Sequence, residues 1–224
     1  MKIATLFLRL LGYATLLVGI YFIIAYGAAQ GFQDESSIIE VAQEGLLVLM
    51  IGISFYCAKQ YVPYHRLNVL LGAIAFVSLI REFNNFLGEH LFPHAWTVLV
   101  FVVLVPTTYY CWRNYQGLHR DIEQIAGSYA FGILLSGGLV LHVFSRLYGL
   151  NTLWMDVMGS DYQRVFARIS EESIELLAYT MVFVGICEIA FLTVSASSGE
   201  LGRRRDAMLS AGANSSLSGR VVHS

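Results

Sequence analysis

Residues 40–57 read EVAQEGLLVLMIGISFYC, and the fold turns on this stretch. From Gly45 to Cys57 there is no charged side chain and no polar face, only a run that a helix would extend over about 20 Å at 1.5 Å per residue. A helix that is apolar all round has protein or lipid as its solvent. With the preceding turn, the stretch 37–57 reaches the roughly 20 residues that a bilayer core demands. Its upper end carries Glu40 and Glu44, four apart and so on one helical face.

Five further stretches have the same character: 6–28, 67–88, 95–112, 127–149 and 172–195. The first has an apolar run longer than the 7–15 residues of a signal-peptide core, so it is read as a retained helix. The composition agrees: 56% of the 224 residues are hydrophobic and 13% are charged, about half the charged fraction of an average soluble domain. The predicted fold is an all-α, polytopic integral membrane bundle of about six transmembrane helices.

Orientation follows from Lys and Arg. With the N-terminus inside, Lys2, Arg9, Lys59, Arg66, Arg113, Arg120, Arg203, Arg204, Arg205 and Arg220 are cytoplasmic, whereas Arg81, Arg146, Arg164 and Arg168 fall outside. Both termini are therefore placed on the cytoplasmic side, and the size and short N-terminal flank suggest a bacterial inner membrane. Trp96 and Trp112 bracket the fourth span as interfacial anchors. Apolar residues at 154, 158, 162, 165/166 and 169 predict a short amphipathic surface helix before the last span, with Asp161, Arg164 and Arg168 on its other face and Gly159 as its weak point. Residues 1–196 form the bundle in this reading. Residues 197–224, rich in Ser, Gly, Ala and Arg without periodicity, form a disordered cytoplasmic tail. Cys57, Cys111 and Cys187 match no metal spacing and act as small apolar fillers on the reduced side.

The informative feature is a polar layer. The second span turns polar at Glu44, the third at Arg81 after the run from Leu67 to Ile80, and the fifth at His142 after the run from Tyr129 to Leu141. Each apolar run is about 20 Å long, so the three helices change character at one height, roughly 10 Å below the outer surface of a 30 Å core. Neighbouring positions add Glu40, Glu82, Arg146 and, at the mouth of the sixth span, Glu172 and Glu175 beside Glu171. Five glutamates (40, 44, 82, 172, 175) face two arginines (81, 146), so a converged layer needs protons, water or a bound cation to balance it.

Ionisable groups in spans mark ion paths and proton relays. The layer is therefore expected to bind a proton or metal cation for transport or sensing. Glu44, His142, Glu172 and Glu175 are the candidate metal ligands, with a transition metal ion as the cofactor they would suit. His90 and His94 form a lesser pair, four apart with Pro93 between them. A membrane-embedded metal-dependent enzyme acting on a lipid or quinone is the second reading, with catalytic residues not identifiable. An accessory subunit of a membrane complex is the third. Membrane lipid is the expected partner, with a homo-oligomer or membrane-complex partner besides; no feature points to nucleic acid. Lower in the membrane, Glu188 is expected to pair with Arg9 or Arg113. Pro106 removes the partner of the Val102 carbonyl, with Thr107 or Thr108 at hand to relieve it. Gly132 with Ser136, and Gly45 with Gly52, offer small surfaces for close packing.

Overall fold

The computed structural model describes residues 3–29 and 38–218, with side chains up to Gly199 except those of residues 28 and 85. Every element among them is helical. The order is α1 (Ile3–Ala29), α2 (Ile38–Gln60), α3 (His65–Glu82), α4 (Asn84–His90), α5 (Ala95–Arg113), α6 (Tyr115–Ala126) and α7 (Tyr129–Leu139). A π turn (Val140–Phe144) carries α7 into α8 (Ser145–Tyr148). Then come α9 (Asn151–Met158), a 3-10 turn (Gly159–Asp161) and α10 (Arg164–Ser218). Five segments are long and apolar enough to cross a membrane: Ile3–Gly27, Ile38–Gln60, Ala95–Arg113, Tyr129–Tyr148 and Arg164–Gly199. These are compatible with an integral membrane protein. Helix α3 is more polar than these five, with Arg66, Arg81 and Glu82 within its 18 residues.

Helix α10 is the centre of the bundle. It packs against α2 on one side and α7 on the other, while α3 packs on the far side of α2, giving the order α3–α2–α10–α7. Ala178, Tyr179, Ile186 and Ile189 of α10 are fully buried against Leu47 and Met50 of α2 and Ala130 and Leu141 of the α7 arm. Between helices in lipid there is little hydrophobic driving force, so close packing must hold them. It does so at glycines. A Cβ on Gly137 would lie 2.9 Å from the Val182 backbone nitrogen, and one on Gly185 would lie 3.0 Å from the Leu134 backbone. The residues expected to serve this purpose do not: a Cβ on Gly132, Gly45 or Gly52 would meet nothing within 4 Å, and Ser136 is exposed. Helix faces are fixed by register, and α7 turns Gly137 rather than Gly132 toward α10.

Helix α1 rests on α2 and α10 through Ile20, Ile39 and Leu176. Helix α5 rests on α3 and leaves a broad apolar face outward, including Phe101, Val102, Val105 and Trp112, the last 83% exposed. Such faces suit hydrocarbon rather than water. Within α5 the hydroxyl of Thr107 donates to the Val103 carbonyl at 2.7 Å, one residue on from the carbonyl that Pro106 leaves without its usual partner. Helix α6, between the third and fourth of these long segments, buries Leu118, Asp121 and Ile125 and turns Arg120 and Glu123 out.

Two local expectations change. The amphipathic stretch at 154–169 is not one helix: Gly159 takes φ +55, which ends α9, and Arg164 and Arg168 belong to the first turns of α10. A left-handed residue cannot sit inside a right-handed helix, and glycine adopts that conformation at little steric cost. At the other end, α10 continues as helix to Ser218 across the stretch where composition suggests a disordered tail; residues 219–224 of that tail lie outside the described residues. Ala, Leu, Met, Glu and Arg, which recur through 200–211, are strong helix formers and extend a helix already nucleated.

Candidate functional site in the polar layer

Helix α3 ends at its polar residues: Phe83 leaves the helical conformation (φ −79, ψ 15) just after Arg81 and Glu82. Arg81 Nη2 donates to Glu82 Oε1 at 3.2 Å, and the Tyr179 hydroxyl of α10 donates to the same oxygen at 2.7 Å. Glu44 of α2 is near enough to Glu82 for their charges to interact. Glu175, one turn before Tyr179, lies within electrostatic reach of both Arg81 and Glu82. The helices thus converge as the equal polar heights imply.

Arg146 of α8 supplies the second node. Its Nη1 lies 2.5 Å from Glu171 Oε1 and its Nη2 lies 2.8 Å from Glu175 Oε1. Glu175 is only 8% exposed. The carboxylate of Glu171 can approach because Gly149 has no side chain: a Cβ there would be 2.5 Å from Glu171 Oε2. Arg168 is the third node and was not foreseen as part of the site. It donates through Nε to Glu172 Oε1 at 2.6 Å and lies 3.6 Å from Glu40 Oε1, so it ties the start of α10 to α2. Gln43, buried, adds a hydrogen bond to the Glu172 carbonyl at 3.2 Å. Treating 154–169 as one surface helix hid Arg168; its position four residues before Glu172 was the available signal.

His142 takes a different place. It sits in the π turn, where the Ser145 N–H bonds the Val140 carbonyl and the Ser145 hydroxyl takes the Leu141 carbonyl at 2.5 Å. A side-chain hydroxyl that takes up a ladder carbonyl favours such irregular turns. His142 is exposed and lies within electrostatic reach of Arg81 and Arg146. It also borders a cavity of about 180 Å³ directly beneath the polar layer.

Among the described residues no three His, Cys, Asp or Glu side chains gather where they could hold a metal ion. Glu172 and Glu175 are paired with arginines, and His142 lies within electrostatic reach of two cations, Arg81 and Arg146. Glu44, His142, Glu172 and Glu175 therefore do not fit a transition-metal site. His90 bonds the Phe86 carbonyl at 3.0 Å and stacks on the Phe86 ring, while His94 takes φ 66 at the start of α5. Pro93 separates them, and the pair does not form one helical face.

A second buried cluster lies toward the other end of the bundle. Glu188 of α10, 1% exposed, accepts from Arg9 Nη1 at 2.9 Å and from the hydroxyls of Tyr13 and Tyr129. Arg9 also lies over the Phe191 ring, 4.2 Å from its centroid. Of the two partners expected for Glu188, the structure selects Arg9, and two tyrosines complete the shell. The cluster joins α1, α7 and α10. Comparison with protein-family models, curated proteins and solved structures gives no match.

Proposed function

We propose that the chain crosses the bilayer six times, with both termini on the cytoplasmic side and α3 as the third span, and that its outer polar layer binds and releases a proton for transport or sensing. The six-span reading rests on the place of α3: its 18 residues extend about 27 Å, its charged residues lie at its ends, and it packs beside α2 inside the helix order given above. The orientation rests on the excess of Lys and Arg in the loops assigned to the inside.

One observation carries the proton reading: among the described residues of the layer, three arginines serve six carboxylates. Arg81 pairs with Glu82, Arg146 with Glu171 and Glu175, and Arg168 with Glu40 and Glu172, while Glu44 faces Glu82. Water is scarce at this depth, so three uncompensated negative charges would be expensive, and protons are the smallest way to neutralise them. Two of the arginines each bridge two carboxylates. A proton on one member of such a pair leaves the guanidinium to the other, so protonation shifts the arginine's allegiance. Because Arg146 ties the α7–α8 arm to α10, and Arg168 ties α10 to α2, this shift changes which helices are held together.

The test is reconstitution of the full chain into vesicles loaded with a pH-sensitive dye. The parent should respond to an external acid pulse beyond empty vesicles, and Glu44→Gln and Glu175→Gln should each abolish that response while expression and thermal stability are kept. Loss of folding in both variants would instead mark the layer as structural ion pairing. An unchanged response in folded variants would refute the proposal.

A further inference from the structure

The cavity beneath the polar layer is a trough. Helices α2 and α10 form its back, and α3 and the α7 arm form its sides. Its long axis is set by α3 from Leu71 to Ser78 and by α10 from Ile186 to Tyr179, each about 10 Å at 1.5 Å per residue. The two ends differ in chemistry. The inner end is walled by aliphatic side chains such as Leu71, Leu134 and Ile186, while Ser78, His142 and the Tyr179 ring gather at the outer end. Ser78 is one turn from Glu82, and Tyr179 is one turn from Glu175, so the polar end abuts the carboxylate–arginine layer. Between α3 and the α7 arm the trough opens sideways, where Ile74 is 51% exposed and His142 is exposed.

Three observations mark this as a built site rather than a packing fault. Among the described residues, neither Ser78 nor the His142 ring has a hydrogen-bond partner within the protein, although both are at the polar end. His142 is presented by a π turn, a feature that recurs at functional sites because it re-aims a side chain. Gly138 lines the trough, and a Cβ there would meet nothing within 4 Å, so the space persists beside a helix whose next glycine, Gly137, is packed to backbone contact.

We infer that this trough binds a membrane-borne lipophile carrying one ring with a carbonyl acceptor, a molecule of quinone type, its ring in the cavity and its carbonyl on His142. The size selects the class. A cavity of about 150 Å³ accommodates benzene, so 180 Å³ suits a single substituted ring. A lipid acyl chain spans about 15 Å, half of a 30 Å core, and is longer than the trough. The lateral mouth lets such a molecule enter from hydrocarbon and leaves room for a tail to remain there. The inference is independent of the proton reading, since binding needs neither proton exchange nor transport.

The test is calorimetric titration of the full chain in detergent with a ubiquinone analogue bearing one isoprene unit, with oleate as the comparison. The parent should bind the quinone saturably at one per chain. Gly138→Leu, which fills the trough, and Ile74→Trp, which closes its mouth, should each weaken binding at least tenfold with thermal stability kept. His142→Phe should weaken the quinone about tenfold while leaving the binding of toluene unchanged. No saturable heat with the parent would overturn the inference. So would unaltered binding in a folded Gly138→Leu or Ile74→Trp chain, or oleate binding as tightly as the quinone.

Discussion

Replacement of Arg9 by Ala should destabilise the chain more than any substitution on the exposed face of α1. Glu188 is 1% exposed and Arg9 is its only cationic partner among the described residues, at 2.9 Å. Without it, a buried carboxylate keeps only the hydroxyls of Tyr13 and Tyr129. Breaking one side of a buried ion pair costs about 3–5 kcal/mol. For a chain of this length each kcal/mol moves the midpoint by about 2–4 °C, so the expected fall in Tm is about 6–20 °C. The cost lies in the orphaned charge and not in the lost pair, so Glu188→Gln should restore much of it in the Arg9→Ala background. A double-mutant cycle read by thermal unfolding in detergent isolates that coupling. Additive effects of the two substitutions, or a midpoint within 2 °C of the parent in Arg9→Ala, would refute the reasoning.

Other outcomes follow from single contacts. Gly185→Ala should lower stability by about 1–3 kcal/mol, because its Cβ would crowd the Leu134 backbone at 3.0 Å, whereas Gly132→Ala, with open space around it, should gain up to about 1 kcal/mol from helix propensity; thermal unfolding of the two proteins side by side decides. Tyr179→Phe removes a 2.7 Å hydrogen bond to a carboxylate and should cost about 1.5–3 kcal/mol, measured in the same way. Gly149→Ala should push the Glu171 carboxylate off Arg146 at a stability cost of no more than about 1 kcal/mol, since Arg146 is half exposed. Adding Glu171→Gln to Gly149→Ala should then change nothing further; an additional loss would show that the pair had survived.

Much of this architecture was legible because the bilayer makes depth readable. Glu44, Arg81 and His142 stand at the ends of apolar runs of equal length, and the rise of a helix converts equal lengths into one height. The isolated Glu188 likewise narrowed its partner to Arg9 or Arg113, since a charge in a span seeks the nearest opposite charge, and the structure selects Arg9. What resisted reading was register. Whether Gly132 or Gly137 faces α10 depends on which face of α7 turns inward, and both candidates have small neighbours in sequence. Arg168 escaped because one left-handed residue, Gly159, divides a segment whose apolar spacing runs through it without a break. The π turn at Val140–Phe144 has no periodic signature at all; it moves His142 from the expected ligand set to the rim of the cavity.

The central claim, that the outer layer holds protons among its surplus carboxylates, is tested most directly by infrared spectroscopy of the folded chain at neutral pH. The account predicts a carboxylic acid carbonyl band that shifts on exchange into heavy water and that shrinks in Glu175→Gln and in Glu44→Gln. A folded parent without such a band at neutral pH, all its glutamates absorbing as carboxylates, would contradict it.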